Sequence, residues 1–162
     1  MDKYSFYLLK FLWALRAHFK QIEAFTFSTS LVRITDQLSE RTMALALARV
    51  SQQARHWSSG TKIGECLQTF NDDYAKRCLN GNTLTLVLSD GLDTGEPEVL
   101  AEATEKLRLR SKKLIWLNPL MGMAGYQPIQ QGMQAALPQL HHLGAAHNFA
   151  SLLELENILV HA

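Results

Sequence analysis

The chain has 162 residues, of which 47% are hydrophobic and 19% charged, so it is long enough for one domain with a sizeable core. Its formal net charge of +1 gives no electrostatic support for a nucleic-acid partner or for an anionic membrane surface. Cys66 and Cys78 lie on one predicted helix, about 18 Å apart along its axis, too far for a disulfide. Two unpaired thiols indicate a reducing, cytoplasmic location.

The N-terminal third is predicted to contain a hairpin between two helices. The helix over residues 3–19 is apolar but interrupted by Lys10, so it fits neither a membrane span nor a signal peptide. The aromatic-rich segment 22–28 is predicted to be a strand. Residues 31–38 alternate in polarity and are expected to pair with it as a hairpin or edge strand. An Ala- and Leu-rich helix is predicted over 40–54.

Helices and strands alternate through the rest of the chain. The predicted elements are a helix over 62–79, a strand over 83–89, a helix from Pro97 to Arg110, a strand over 113–118, and short helices over 129–136 and 149–160. No linker or internal repeat interrupts them. The sequence therefore predicts a single domain over residues 1–162 with an open α/β sheet.

Asp90 and Thr61 are candidate metal ligands. Asp90 directly follows the strand at 83–89, and ligands of open α/β sheets bind beyond the carboxyl ends of strands. Thr61 lies in a Ser-Ser-Gly-Thr loop at a helix start, and its hydroxyl is an oxygen ligand of the kind that Mg²⁺ prefers. The alternatives are structural: Thr61 caps the helix at 62–79, and Asp90 forms a turn with its own backbone.

Other acidic and histidine side chains have weaker claims to a site. Asp93 is expected to be a loop acid and Glu98 a first-turn acid facing the helix dipole. An enzyme or nucleotide-binding protein that uses Asp90 and Asp93 as paired acids is the alternative function. The sequence has neither a GxSxG motif nor a phosphate-binding glycine loop, so we do not expect an enzyme. Zinc binding by His141, His142 and His147 has little support, because no carboxylate or Cys lies nearby in the sequence.

Four segments in order resemble the CoxE-like family of von Willebrand factor A (VWA) domain proteins. They contain Gly-Thr-Lys-Ile-Gly from Gly60, Ser-Asp-Gly from Ser89, Ile-Trp-Leu-Asn-Pro from Ile115, and Ala-Ala-His-Asn from Ala145. The resemblance implies a Rossmann-like sheet with helices on both faces. It also implies a metal-ion-dependent adhesion site that binds Mg²⁺ at the top of the sheet. Thr61 matches the family's distant Thr ligand, and Asp90 matches its distant Asp.

The N-terminus departs from the family pattern. In the family, an Asp-x-Ser-Gly-Ser-Met motif ends the first strand, and Met1 resembles the last residue of that motif. The resemblance therefore implies a VWA sheet that lacks its central first strand and three metal ligands, with an apolar slot between the remaining strands. An N-terminally truncated product of a longer gene is the favoured interpretation, because Thr61 and Asp90 are both present, and a degenerate paralogue is the alternative. The resemblance also implies a non-catalytic accessory protein that binds a MoxR-type AAA+ ATPase or a target metalloenzyme during metalloenzyme maturation, through Mg²⁺ and a partner carboxylate.

Overall fold

The computed structural model describes residues 3–17, 19–54 and 60–146, which form two sheets with helices around them. The helices are α1 (Lys3–Leu15), α2 (Thr35–Leu38), α3 (Met43–Ala54), α4 (Ile63–Asp73), α5 (Ala75–Cys78), α6 (Pro97–Arg110) and α7 (Gln131–Ala136), with short 3-10 helices at Pro119–Gly122 and Leu137–Gln139. The strands are β1 (Phe25–Phe27), β2 (Leu31–Arg33), β3 (Leu84–Leu88), β4 (Lys113–Asn118) and β5 (His142–Ala145).

The larger sheet is parallel and has the strand order β3-β4-β5. Its central strand, β4, matches the predicted 113–118, and its residues from Leu114 to Asn118 are all buried. A continuous apolar run of this kind is typical of a strand covered on both faces. Together with the helices, this sheet confirms the predicted α/β class.

Helices cover both faces of the parallel sheet. On one face α4, α6 and α7 form a core with β3 and β4 that includes the fully buried Ile63, Leu100 and Trp116. Gly64 lets α4 and α6 approach closely, since a Cβ at this position would lie 2.8 Å from the backbone nitrogen of Leu100. On the other face, α1 packs on Ile115 and its neighbours in the sheet. We call the parallel sheet together with α4, α6 and α7 the parallel body.

The smaller sheet is the antiparallel hairpin of β1 and β2, which confirms the predicted pairing of the two segments. Its strands are shorter than predicted. The second half of segment 31–38 forms α2, so the expectation of strand there was wrong. The physical reason is burial: Ile34 and Leu38 are four residues apart, and this helical spacing places both in one cluster with Val50 of α3. The hairpin, α2 and α3 form the hairpin body.

An apolar cleft separates the two bodies. Its cavity of about 480 Å³ is lined by both bodies and by α1, and the lining includes Leu12, Phe25, Phe27, Leu84, Leu86 and Leu88. Among the described strands, β3 pairs only with β4, so its other edge faces this cleft. The apolar slot expected between the strands is therefore present. At one end, Phe25 of the hairpin closes the gap by packing edge-on against Phe70 and Tyr74.

Apart from shifts of a few residues at element ends, the remaining described elements differ from the sequence prediction in two places. The helix expected over 62–79 is interrupted at Tyr74, which divides it into α4 and α5. Strand β5, at His142–Ala145, was not predicted. The helix predicted at 149–160 lies outside the described residues, as does His147. Within the described part of the chain, no helix combines the length and apolarity that crossing a membrane requires.

Candidate functional site at the carboxyl end of the sheet

The carboxyl ends of β3 and β4 lie side by side. The two strands are parallel, with Leu88 opposite Leu117, so Asp90 and Asn118 leave the sheet at the same edge. The buried indole of Trp116 donates a hydrogen bond of 3.0 Å to the carbonyl oxygen of Ser89, which fixes the end of β3 against β4. Ligands of open α/β sheets bind beyond the carboxyl ends of the strands, and Asp90 and Asn118 both lie at this edge.

Asp90 forms a tight turn directly after β3. Its Oδ1 accepts a 3.0 Å hydrogen bond from the backbone N–H of Leu92, so the turn alternative for Asp90 is confirmed. Gly91 has φ +77°, and a Cβ there would lie 2.7 Å from the sulfur of Met133. Only glycine fits both requirements. The turn leaves the Asp90 side chain half-buried at the edge of the sheet.

Asn118 holds two loops together, and sequence reasoning missed this residue. It is fully buried, and its Nδ2 donates to the carbonyl oxygen of Asp90 at 3.0 Å and to the hydroxyl of Tyr126 at 2.7 Å. Its Oδ1 accepts from the backbone N–H of Leu120 at 2.8 Å. Both N–H groups of the Asn118 amide therefore have a hydrogen-bond acceptor. The available signal was Asn-Pro directly after a strand, which favours turn formation.

Asp93 caps α4, a role considered for Thr61 as the structural alternative to metal binding. Asp93 is 8% exposed, and its Oδ1 accepts from the backbone N–H groups of Ile63 at 2.8 Å and of Gly95 at 3.2 Å. The capping alternative for Thr61 was wrong, since α4 has no cap from its own flanking side chain. Thr61 instead accepts through its carbonyl oxygen from the backbone N–H and the hydroxyl of Thr94, both at 2.9 Å.

These bonds give Asp90 and Asp93 different surroundings. Asp93 is directed at the start of α4, whereas Asp90 bonds the backbone of its own turn. Glu98 lies in the first turn of α6, as expected. The structure therefore gives no support to Asp90 and Asp93 as a catalytic pair.

The environments of Cys66 and His141 favour a structural role for both side chains. Cys66 is buried, and burial together with the nearby charge of Glu65 raises the pKa of its thiol to about 11, so it is neutral near pH 7. Nδ1 of His141 accepts a 2.9 Å hydrogen bond from the backbone N–H of Leu114. Neither group has the environment of a nucleophile or a zinc ligand.

Thr61 and Asp90 are the described residues to which a Mg²⁺ ligand role was assigned. They offer one hydroxyl and one carboxylate, and one oxygen of that carboxylate already accepts from Leu92. Within residues 3–17, 19–54 and 60–146, no group of three or more His, Cys, Asp or Glu side chains could hold a metal ion. Mg²⁺ requires six oxygen ligands in near-ideal octahedral geometry. Mg²⁺ usually keeps several of its waters, and Thr61 and Asp90 together could fill two of the six positions.

Exposed apolar side chains surround the same edge of the sheet. Leu92 belongs to the Asp90 loop, and Met121, Met123 and Ile129 belong to the loop that follows β4. Leu92 and Met123 are more than half exposed, and Ile129 is 70% exposed. The edge therefore combines one half-buried carboxylate with an apolar rim.

Comparison with known proteins identifies the family. A family model described as "VWA domain containing CoxE-like protein" matches residues 1–152, which is nearly the whole chain. The chain therefore belongs to this family, and its α/β architecture is that of a Rossmann-like VWA domain. No curated protein and no solved structure matches the chain.

Proposed function

We propose that this CoxE-like VWA protein is a non-catalytic, cytoplasmic accessory protein that binds a protein partner at the carboxyl end of its parallel sheet. The observation that carries the proposal is the apolar rim of Leu92, Met123 and Ile129 beside Asp90. Exposed apolar side chains grouped at one place on a surface are typical of protein-interaction sites. The partner that the family resemblance implies is a MoxR-type AAA+ ATPase or a metalloenzyme that the ATPase helps to mature.

The roles of the polar groups at this edge support binding over catalysis. Asp93 is used to cap α4, and the Asn118 amide is used to join two loops. A general acid or base needs a free proton-accepting atom within reach of substrate. The carboxylates of Asp90 and Asp93 accept hydrogen bonds from backbone N–H groups, and neither has a base among its hydrogen-bond partners in the described part of the chain.

Magnesium has a minor place in this proposal. Thr61 and Asp90 supply too few ligands to compete with water for a cation that dehydrates reluctantly. We therefore expect the chain to bind Mg²⁺ weakly, with little heat in a calorimetric titration at millimolar concentrations. A micromolar dissociation constant that is lost in Asp90→Ala would contradict this expectation.

Capture of the cognate ATPase by the immobilised chain tests the proposed function. The purified MoxR-type ATPase should be retained by the wild-type chain, and retention should fall in Ile129→Ser. The matched control is Leu109→Ser, which changes a side chain that is 74% exposed on α6, outside the rim. If the wild-type chain retains neither the ATPase nor its target metalloenzyme, the proposal is wrong.

A further inference from the structure

The geometry points to a basic, apolar segment of a protein partner as the ligand of this edge, with a Lys or Arg side chain paired directly to Asp90 and no metal ion between them. We call Asp90, Leu92, Met121, Met123 and Ile129 the docking surface. This inference rests on the proposed function, because it names the chemistry of the segment that the same edge would bind.

The first observation is the concentration of exposed apolar side chains. Eight large hydrophobic side chains of the described residues are exposed, and four of them are in the docking surface. The other four are spread over α1, α3 and α6. Two of the four in the docking surface are methionines, whose flexible thioethers adapt to the shape of a bound apolar side chain. The apolar half of the ligand follows from this composition.

The second observation is that the loops carrying these side chains are anchored. The hydroxyl of Tyr126 accepts from Asn118 at 2.7 Å, and Nε2 of Gln130 donates to the carbonyl oxygen of Asp93 at 2.9 Å. Met123 precedes Tyr126, and Ile129 precedes Gln130, so each exposed side chain is close to an anchor point. A surface held in place before binding loses less conformational entropy when a partner binds.

The third observation is the sign of the charge. Asp90, Glu96 and Glu98 lie on the loop and first helical turn after β3, and none of them has an ion pair among the described residues. Residues 119–130 contain no charged side chain. Lys62, on the loop before α4, pairs with Glu65 at 3.5 Å. Among residues 60–146, the edge therefore carries negative charge that no ion pair compensates.

This charge selects among the possible ligands. Nucleic acids and anionic lipid surfaces are repelled by it, and so is an acidic peptide in the absence of a bound cation. A Lys or Arg side chain is attracted, and its hydrogen bond to the Asp90 carboxylate is of the stronger, charge-assisted kind. Surrounding apolar groups exclude water from such a pair and strengthen it further. A basic segment with apolar side chains therefore satisfies both parts of the docking surface.

Two designed peptides of equal length provide the probes. One is an amphipathic helix of Leu and Lys, and its counterpart has Glu in place of every Lys; both carry a fluorescein label for anisotropy titration against the full chain. We expect the Leu/Lys peptide to bind more tightly, with the same affinity in Mg²⁺ and in chelator. Asp90→Asn should weaken its binding roughly tenfold, the loss expected for one charge-assisted hydrogen bond.

Matched variants separate the docking surface from general stickiness of the peptide. Met123→Ser and Ile129→Ser should weaken binding of the Leu/Lys peptide, whereas Leu109→Ser and Asp72→Asn should not. Both control residues are exposed and lie outside the docking surface, on α6 and α4. Thermal unfolding of each variant confirms that it is folded.

Several results would overturn the inference. These are equal binding by wild type and Asp90→Asn, preference for the Leu/Glu peptide in Mg²⁺, sedimentation of the chain with anionic vesicles, and self-association that Ile129→Ser abolishes. Failure here is distinguishable from failure of the proposed function: ATPase capture that does not depend on Asp90 leaves the function standing and removes the basic ligand. Peptide binding without ATPase capture would instead support the basic ligand and contradict the proposed function.

Discussion

The parallel body and the β1–β2 hairpin both contain apolar strands but are packed very differently. In the parallel body, Leu100, Trp116 and Leu117 are fully buried between helices and sheet. In the hairpin, every residue of β1 and β2 is only partly buried. The hairpin joins the parallel body through Phe25 against Phe70 and Tyr74, and through the backbone N–H of Lys62, which donates to Ser28 at 2.8 Å.

The contrast between β3 and β4 shows what causes this difference. Both strands are strongly apolar, yet β4 is buried from Leu114 onward, whereas in β3 only Val87 is buried. β4 has a neighbour on each side, and β3 has β4 on one side and the cleft on the other. Burial in a sheet thus depends on whether a strand is paired on both edges, which composition alone does not determine.

The parts of the fold that sequence predicted correctly are those with local signals. Strand 113–118 is an apolar run that Pro119 ends, and α6 starts at Pro97, so both were placed at their observed bounds. Strand β5 was missed because His142–Ala145 contains one large apolar residue, Leu143, and its strand conformation depends on pairing with β4. The helical conformation of residues 35–38 likewise depends on the burial of Ile34 and Leu38.

The candidate site shows the same limit. Asp90 was found because it follows a strand and precedes Gly, which is a local pattern. The contacts that hold this loop are distant in sequence. Asn118 bonds Asp90 from 28 residues away, and Gln130 bonds Asp93 from 37 residues away. Capping of α4 was the structural alternative considered for Thr61, but the capping oxygen comes from Asp93, 30 residues after Ile63. Such contacts arise only when the strands are assembled.

The largest expected effect is loss of stability when the core of the parallel body is truncated. Leu100→Ala should lower the free energy of unfolding by about 2–5 kcal/mol, because it leaves a cavity between α4 and α6. Leu86→Ala should cost about 1 kcal/mol, since Leu86 is only partly buried beside the cleft. Urea unfolding measures both, with Leu109→Ala as the exposed control. Equal losses at Leu100 and Leu86 would contradict the contrast between the buried core of the parallel body and its cleft-facing strand β3.

A second prediction concerns the free edge of β3. An unpaired strand edge beside an apolar cleft can pair with another chain, so we expect the chain to dimerise, to aggregate or to be only marginally stable. Light scattering after size exclusion measures the association. Leu86→Lys places a charge in the cleft lining and should reduce it, whereas Leu109→Lys on the exposed face of α6 should not. A monomer with a cooperative, high-temperature melt would remove the edge as a source of association.

A smaller effect is expected at the start of α4, which Asp93 caps. Asp93→Ala removes the oxygen that accepts from the backbone N–H groups of Ile63 and Gly95, so it should cost about 1–2 kcal/mol, as loss of a helix cap does. Thr61→Ala should cost much less, because the hydrogen bonds of Thr61 use its backbone carbonyl. Chemical unfolding of both variants is the measurement. A larger loss for Thr61→Ala would assign the capping role to its hydroxyl after all.

The smallest effect is a pH-dependent one in the hairpin body. The guanidinium of Arg33 donates to Glu23 at 2.8 Å and lowers the pKa of that carboxyl, and the hydroxyl of Thr35 lowers it further. Because the folded pKa lies below the unfolded value, the pair stabilises the fold at pH above that unfolded value. The contribution is lost as pH falls through the folded pKa. Partial exposure of both side chains keeps it small.

Glu23→Gln tests this contribution through melting temperatures measured at about pH 7 and about pH 3. The variant should melt below the wild type at the higher pH, and the difference should narrow as the pH falls, because protonation of Glu23 removes the ion pair. Glu105→Gln, an exposed position on α6, is the control and should show no such convergence. A difference that persists unchanged in acid would mean that Glu23 acts through packing against the hairpin. The ion pair would then contribute nothing to holding the hairpin body together.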